Sequence, residues 1–379
     1  MKKTMITIMI LFISVAFLEG CTERTNPEPI PVGEEIVKIR VTAPLTGKFA
    51  YYGTQVQQAL SLALEDNANA LKDSGIKVDV KYVDNIGDKT TAITNFNMFV
   101  SEGGVPIIIS TNTPLSQPLI PLAEQNKINL LALVTGAKDF AKDTNYTFRD
   151  AIMSYDEGVL MARYLLKNNV TKVSTLVVND DYGLSGANGL KDEFTRLGGA
   201  IVSQELFDNS ATDMRTQITK IKERNPEAVF LVGREMNIVL SVKQMSEIGI
   251  TADRIYSVDS LESPTVFTGL GESANNIRFT SVYYDSSDTE TRLFFDKFKQ
   301  KYGSEPGIYA IDAYAAGQYF SQSFLTCGIT VEDINRCLSN ERFQTIKGEL
   351  NFNELHDAKI NVGVFRINNG TKEFIERVN

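Results

Sequence analysis

The chain is poor in the side chains on which much catalysis depends. Among 379 residues there is one histidine, His356, in the polar turn Asn353-Glu354-Leu355-His356-Asp357. A Ser-His-Asp or Cys-His catalyst would hang on that single imidazole, and the turn reads as a surface hairpin tip far from the strand ends. Histidine-rich zinc sites are excluded by count, and the three cysteines form no thiolate cluster. There is no Walker loop, and Gly269-Leu270-Gly271 lacks both the third glycine and the preceding strand of a dinucleotide fingerprint. Counting does not exclude a pair of hydrolytic carboxylates, but nothing singles one out. The residues therefore favour a protein that is not an enzyme and carries no cofactor.

Positive charge is also scarce: 38 Lys and Arg against 47 Asp and Glu, with no basic run. That argues against nucleic acid and anionic lipid as partners. Apolar runs long enough to span a bilayer are missing too. The one near the start, Met5 to Leu18 behind Lys2 and Lys3, is short and reads as a secretory signal. Leu18-Glu19-Gly20-Cys21 resembles the bacterial lipoprotein signal, in which the cysteine is lipidated, although Glu19 stands where a small residue is usual. The alternative is an uncleaved anchor helix with an incidental Cys21. Thr22 to Glu35, with Pro27, Pro29 and Pro31 among polar residues, has the composition of an extended tether. Acyl chains worth about 0.8 kcal/mol per buried CH₂ would hold such a protein at a membrane surface. Cys327 and Cys337, ten residues apart, fit either a local disulfide in an oxidising compartment or two buried thiols.

From residue 36 onward β-branched runs alternate with amphipathic stretches. Strands are expected at Ile36–Thr42, Lys77–Val83, Val105–Ser110, Ile128–Val134, Tyr146–Ala151, Val173–Val178, Ala200–Phe207, Ala228–Val232, Arg254–Val258 and Ile277–Tyr284. Val56, Ala59, Leu60, Ala63 and Leu64 mark one face of the first intervening helix. Repeated βα units imply α/β architecture with parallel sheets wound on both faces. Ten strands are many for one sheet, so two doubly wound lobes are expected. The C-terminal third reads as three successive helices, Ser287–Tyr302, Ile308–Cys327 and Thr330–Leu338, then β segments Thr345–Phe352 and Ile360–Asn368. With no low-complexity linker after residue 36, lobe crossings are expected in Arg149–Tyr155, Arg278–Tyr284 and Lys347–Asn353.

Ligands of doubly wound sheets sit beyond the carboxyl ends of the strands. The residues that follow each strand here are hydroxyls, aromatics and one well-placed acid. Thr46-Gly47 and Tyr51-Tyr52-Gly53 follow the first strand, and Thr111-Asn112-Thr113-Pro114 the third. Thr135-Gly136 follows the fourth, Asp180-Asp181-Tyr182-Gly183 the sixth and Asp259-Ser260 the ninth. Singly each reads as a cap or turn; together they outline a binding cleft.

At these same residues the chain resembles the type 1 periplasmic binding proteins, specifically the branched-chain amino-acid (leucine/isoleucine/valine) receptors of ABC importers. Ala43-Pro44-Leu45-Thr46-Gly47 with Tyr52-Gly53, Ser116-Gln117-Pro118, Thr147-Phe148-Arg149, Asp180-Asp181-Tyr182-Gly183 and Tyr309-Ala310-Ile311-Asp312-Ala313-Tyr314 occur in the family's order over residues 36 to 370. The resemblance implies two Rossmann-like lobes joined by three crossing strands. The first comprises 36–154 plus 282–348, and the second 155–281 plus 349–379. It implies that Thr113 holds the ligand's α-carboxylate and Asp259 its ammonium, with Thr135 as the site threonine of the next loop and Tyr52, Tyr182 and Tyr309 as aromatic walls. Arg234 stands where leucine-binding members carry tyrosine. Two readings of it remain open: a guanidinium for a second carboxylate or an oxyanion on the ligand, or a side chain that points to solvent or salt-bridges across the cleft mouth. The implied partners are a small amino-acid-like solute and ABC transporter permease subunits, with the protein a monomer outside the cytoplasm. A sensor for amides, urea or other small polar solutes could use the same lobes.

Overall fold

The computed structural model describes residues 34–377. The expected signal peptide at 1–20, Cys21 and the tether as far as residue 33 lie outside the described residues. The last tether position, Glu35, is already the first residue of a strand.

Two parallel sheets organise the chain. The first contains β1 (Glu35–Ala43), β2 (Ile76–Asp84), β3 (Ile107–Thr111), β4 (Asn129–Leu133) and β5 (Thr147–Asp150), in the order β2-β1-β3-β4-β5. The second contains β6 (Lys172–Val178), β7 (Ala200–Phe207), β8 (Ala228–Val232), β9 (Ile255–Ser257) and β10 (Arg278–Val282). A hairpin, β11 (Phe343–Thr345) and β12 (Gly348–Leu350), stands apart from both. The chain then adds β13 (Val362–Asn368) and β14 (Thr371–Arg377) to the second sheet, whose order is β14-β13-β10-β9-β8-β6-β7. The β10–β13 and β13–β14 pairings are antiparallel; the other pairings of that sheet are parallel. Every residue of β3, β4 and β8 is buried, as expected of parallel strands covered on both faces.

The covering helices follow from the sequence period. Helix Ala50–Asp66 turns Val56, Ala59, Leu60, Ala63 and Leu64 inward. It packs on Ile308–Thr326, which is buried almost all round. In the second lobe helix Ser154–Lys167 lies against Asp181–Arg196 closely enough that only glycine fits at the contact. A Cβ on Gly189 would strike the Tyr155 carbonyl, and one on Gly158 the Gly186 carbonyl. Backbone cannot retreat as a side chain can, so Gly189→Ala should force the helices apart at a cost of about 2–3 kcal/mol. An unchanged urea midpoint would show that the pair yields more easily than this.

The chain passes between the sheets three times: after β5, after β10 and between β12 and β13. Three buried ion pairs, made by two basic side chains, tie these passages together. Arg149, fully buried in β5, reaches Asp357 at 2.7 Å. Lys347, at the β11–β12 turn, reaches Asp150 at 2.5 Å and Asp312 at 3.0 Å.

Three expectations need correction. Thr345–Phe352 is not one strand: the chain reverses at Ile346-Lys347, with Gly348 at φ 88°, to make the β11–β12 hairpin. β14 was not anticipated, because Thr371–Arg377 is a largely exposed, charged edge without apolar alternation. The His356 turn is no isolated tip. Its ring stacks on Phe148 with centroids 4.5 Å apart, Nδ1 lies 3.1 Å from the Thr147 carbonyl, and its own carbonyl accepts from the Arg149 N–H. Two of the cysteines end up together: Cys327, just beyond one helix, and Cys337 within the next are bonded, with Cα atoms 6.0 Å apart.

Candidate functional site

Between the two sheets, beyond the ends of their parallel strands, lies a pocket of about 700 Å³ that includes space open to solvent. All seven expected ligand-binding residues line it: Tyr52, Thr113, Thr135, Tyr182, Arg234, Asp259 and Tyr309. The first sheet and its helices contribute Tyr52, Thr113, Thr135 and Tyr309, and the second contributes Tyr182, Arg234 and Asp259.

On the first side the backbone bends sharply to present these groups. Asn112 and Val134, at the exits of β3 and β4, both take positive φ, 67° and 54°. For a β-branched valine this is a costly conformation of the kind that clusters at binding sites. The bends turn Thr113 and Thr135 into the pocket. The Thr135 hydroxyl donates to the Leu133 carbonyl at 3.0 Å. Its hydrogen is thereby committed, and the oxygen is left as an acceptor for a ligand N–H. Tyr52 and Tyr309 form an aromatic wall with ring centroids 4.8 Å apart. Burial, foremost, lifts both phenols well above their ordinary range and keeps them neutral.

On the second side Asp259 follows β9 and accepts from the Tyr182 hydroxyl at 3.3 Å. Its carboxyl is pushed up to about 7, first by burial and then by the Asp312 and Glu262 carboxylates. Such a group calls for a cation. Arg234 does not supply one, because its guanidinium bonds Asp180 at 2.6 Å and lies 5.4 Å from the centre of the Tyr182 ring. Asp180 meanwhile caps helix Asp181–Arg196 by accepting from the Gly183 N–H. The ion pair differs from the expected cleft-mouth bridge: Arg234 lines the pocket and pairs with Asp180, which follows a strand of the same sheet, so the pair does not cross the cleft.

Two acids of the site were missed in the sequence. Asp312 lines the pocket one helical turn beyond Tyr309. Glu157 lies wholly buried behind it, accepting from the Asp259 backbone N–H at 2.8 Å and the Thr280 hydroxyl at 2.9 Å. Burial, then the Asp259 charge, raises the Glu157 carboxyl well above its ordinary range. Glu157 is a positioning residue: it fixes the loop that carries Asp259. Glu157→Gln keeps an acceptor for both donors and should leave ligand affinity within about threefold. Glu157→Ala strands both buried donors, at about 1–3 kcal/mol each, and should weaken binding; calorimetry on the two variants checks this. Among the described residues no group of three or more His, Cys, Asp or Glu is placed to hold a metal ion, and none of the helices is long and apolar enough to cross a membrane.

Two parallel α/β lobes facing each other across a polar, aromatic-walled cleft define a solute-binding protein. The periplasmic binding protein family model matches residues 36–372, and the chain belongs to that family. Members are substrate-binding components of ABC transporters. Leu/Ile/Val-binding protein homolog 1 of Brucella abortus is 23% identical over 328 residues, 86% of this chain and 88% of the relative. A leucine-binding protein of Thermotoga maritima superimposes with a TM-score of 0.82 at 25% identity, covering 90% of this chain and 99% of that one. A solute-binding protein of R. palustris in complex with benzoate superimposes nearly as well, TM-score 0.81 at 17% identity over 90% of this chain and 96% of that one. The shared fold therefore does not fix the ligand.

Proposed function

We propose that the chain is the extracytoplasmic solute-binding lipoprotein of an ABC importer, anchored through Cys21, and that it closes on a small α-amino acid of branched-chain or related type. The reading rests above all on Asp259: a half-buried carboxylate at the pocket wall with no basic side chain paired to it among the described residues, facing hydroxyls across a cleft, is suited to an ammonium. Thr113 takes the ligand's carboxylate, Thr135 and Asp259 its ammonium, and Tyr52, Tyr182 and Tyr309 enclose the side chain. Arg234 shapes the wall through its pair with Asp180 and makes no charge contact of its own with the ligand. In this reading residues 36–154 with 282–348 move as one lobe and 155–281 with 349–379 as the other. Ligand engages one lobe first, and closure brings in the contacts of the second. Micromolar affinity needs about −8 kcal/mol, within reach of several charge-assisted hydrogen bonds and aromatic burial.

The test is a calorimetric panel of amino acids, dicarboxylates, amides and aromatic acids on the purified protein. Branched-chain amino acids are expected to bind most tightly. Tight binding of an aromatic acid with none of any amino acid would sink the reading.

A further inference from the structure

We propose that Asp312 is the second carboxylate of a cross-cleft ammonium clamp, in which the cationic nitrogen of the solute sits between Asp259 of one lobe and Asp312 of the other. The inference deepens the function proposed above and rests on it for the presence of an ammonium; it adds the residue from the opposite lobe that selects for one.

Both acids line the same pocket, Asp312 buried and Asp259 half-buried. Asp259 follows β9 of the second sheet, whereas Asp312 belongs to helix Ile308–Thr326, which packs on the first. Positive charge around them is in deficit. Lys347 is shared between Asp312 and Asp150, one cation for two acids. Arg234, the one basic side chain among the described lining residues, is held by Asp180. Asp259 has the Tyr182 hydroxyl but no cation, and Glu262 adds further negative charge nearby. Burial comes first in raising the Asp312 carboxyl to about 7; Lys347 holds it down, while Asp150 and Glu262 push it up. The Ser260 hydroxyl next to Asp259 also lines the pocket, buried beside the Tyr182 phenol. Unpaired buried charge is costly, and the group that relieves this cluster is a cation with hydrogen-bond donors.

A primary ammonium has the right number of donors. Its three N–H bonds match the Asp259 carboxylate, the Asp312 carboxylate and the Thr135 oxygen, whose own hydrogen is committed to Leu133. The clamp also couples binding to closure. Shutting the empty cleft brings two like charges together, which disfavours the closed form. A cation between them reverses the sign, so the solute shifts the population by its contacts in the closed state alone. A solute with a carboxylate but no ammonium lacks this term and is discriminated against.

The experiment compares L-leucine, its deaminated analogue isocaproate and its decarboxylated analogue isoamylamine, titrated into the unaltered protein and into Asp312→Asn. Leucine and isoamylamine affinities should each fall at least about tenfold in the variant, with isocaproate changing less than about twofold. Combined with Asp259→Asn, the two losses should be less than additive, as for groups that hold one atom. Because Asp312 also pairs with Lys347, a second measurement reads proton release: calorimetry at pH 6 in buffers of different ionisation enthalpy. An ammonium held between both carboxylates should release more protons per solute from the unaltered protein than from Asp312→Asn, and equal release from the two overturns the clamp. If leucine binds Asp312→Asn as well as the unaltered protein, the clamp falls and the proposed function stands. Should isoamylamine bind by way of Asp312 when no amino acid does, the clamp stands and the proposed function falls. If neither an amine nor an amino acid binds, both fall.

Discussion

Asp259→Asn should weaken amino-acid binding at least tenfold and, without ligand, make the protein more stable at pH 8. The folded carboxyl sits at about 7, above the ordinary carboxylate value near 4. The folded protein thus holds that proton more tightly than the unfolded chain does. Its contribution to stability is fully present below about pH 4 and is lost as pH rises through about 7. Asparagine cannot ionise, so the variant escapes this loss. Melting curves of the two ligand-free proteins should coincide near pH 4 and separate by pH 8, with the variant melting higher. Excess ligand should reverse the order, because only the unaltered protein gains from the ammonium. Leucine affinity in the unaltered protein should also decline as pH falls below about 7 and Asp259 takes up a proton. Equal melting at pH 8 together with unchanged affinity would remove Asp259 from the site.

The largest stability loss is expected from Lys347→Met. The ammonium of Lys347 is buried, and its partners are the buried Asp150 and Asp312. Methionine fills much of the same volume and leaves both acids without a cation, a change that costs about 3–5 kcal/mol when one partner of a buried pair is removed. The deficit should depend on pH with a defined sign. Lys347 is what holds the Asp312 carboxyl down against burial and its acidic neighbours. Without it the carboxyl rises further, so stability persists in acid and drains away as pH increases through the raised value. Urea unfolding of the variant should therefore approach that of the parent near pH 4 and fall furthest behind at pH 8. A constant difference across that range would mean that the lysine acts through packing alone. Since Lys347 joins the β11–β12 turn to the end of β5 and to helix Ile308–Thr326, the variant also loosens two of the three passages between the lobes.

Much of this was legible in the sequence, for identifiable reasons. Buried parallel strands such as Ile107–Thr111 and Ala228–Val232 are near-continuous apolar runs between glycine- or asparagine-marked turns, and their period cannot be mistaken for a surface helix. The site residues were legible because parallel sheets oblige the loops at their carboxyl ends to meet, so Thr113, Thr135, Tyr182 and Asp259 could be placed together without any contact being known. What escaped notice depends on tertiary neighbours. Asp156 and Glu157 are adjacent acids in the first turn of one helix, where either would suit the helix dipole; nothing local says that Glu157 is the one turned inward. Arg234 was ambiguous until Asp180, 54 residues earlier, was seen beside it. Asp312 did leave a signal. It is a lone acid in Ile308-Tyr309-Ala310-Ile311-Asp312-Ala313-Tyr314, a stretch with no polar face to carry it, and an acid with nowhere to be solvated asks for a partner or a ligand. β14 left none, since its pairing is written in backbone and its side chains read as a charged tail.

That last strand bears on how many copies can share one surface. An open sheet edge is a template on which another chain can add a strand, and β14 shows solvent a half-exposed Phe374. The charges around it are anchored, with Lys372 on Glu262, Glu373 on Arg366, Glu376 on Lys167 and Arg377 over the Tyr283 ring. An approaching strand would have to break those ties and strip water from the charges before its first backbone bond formed. Wherever molecules are crowded together, the edge works as a standing refusal to polymerise.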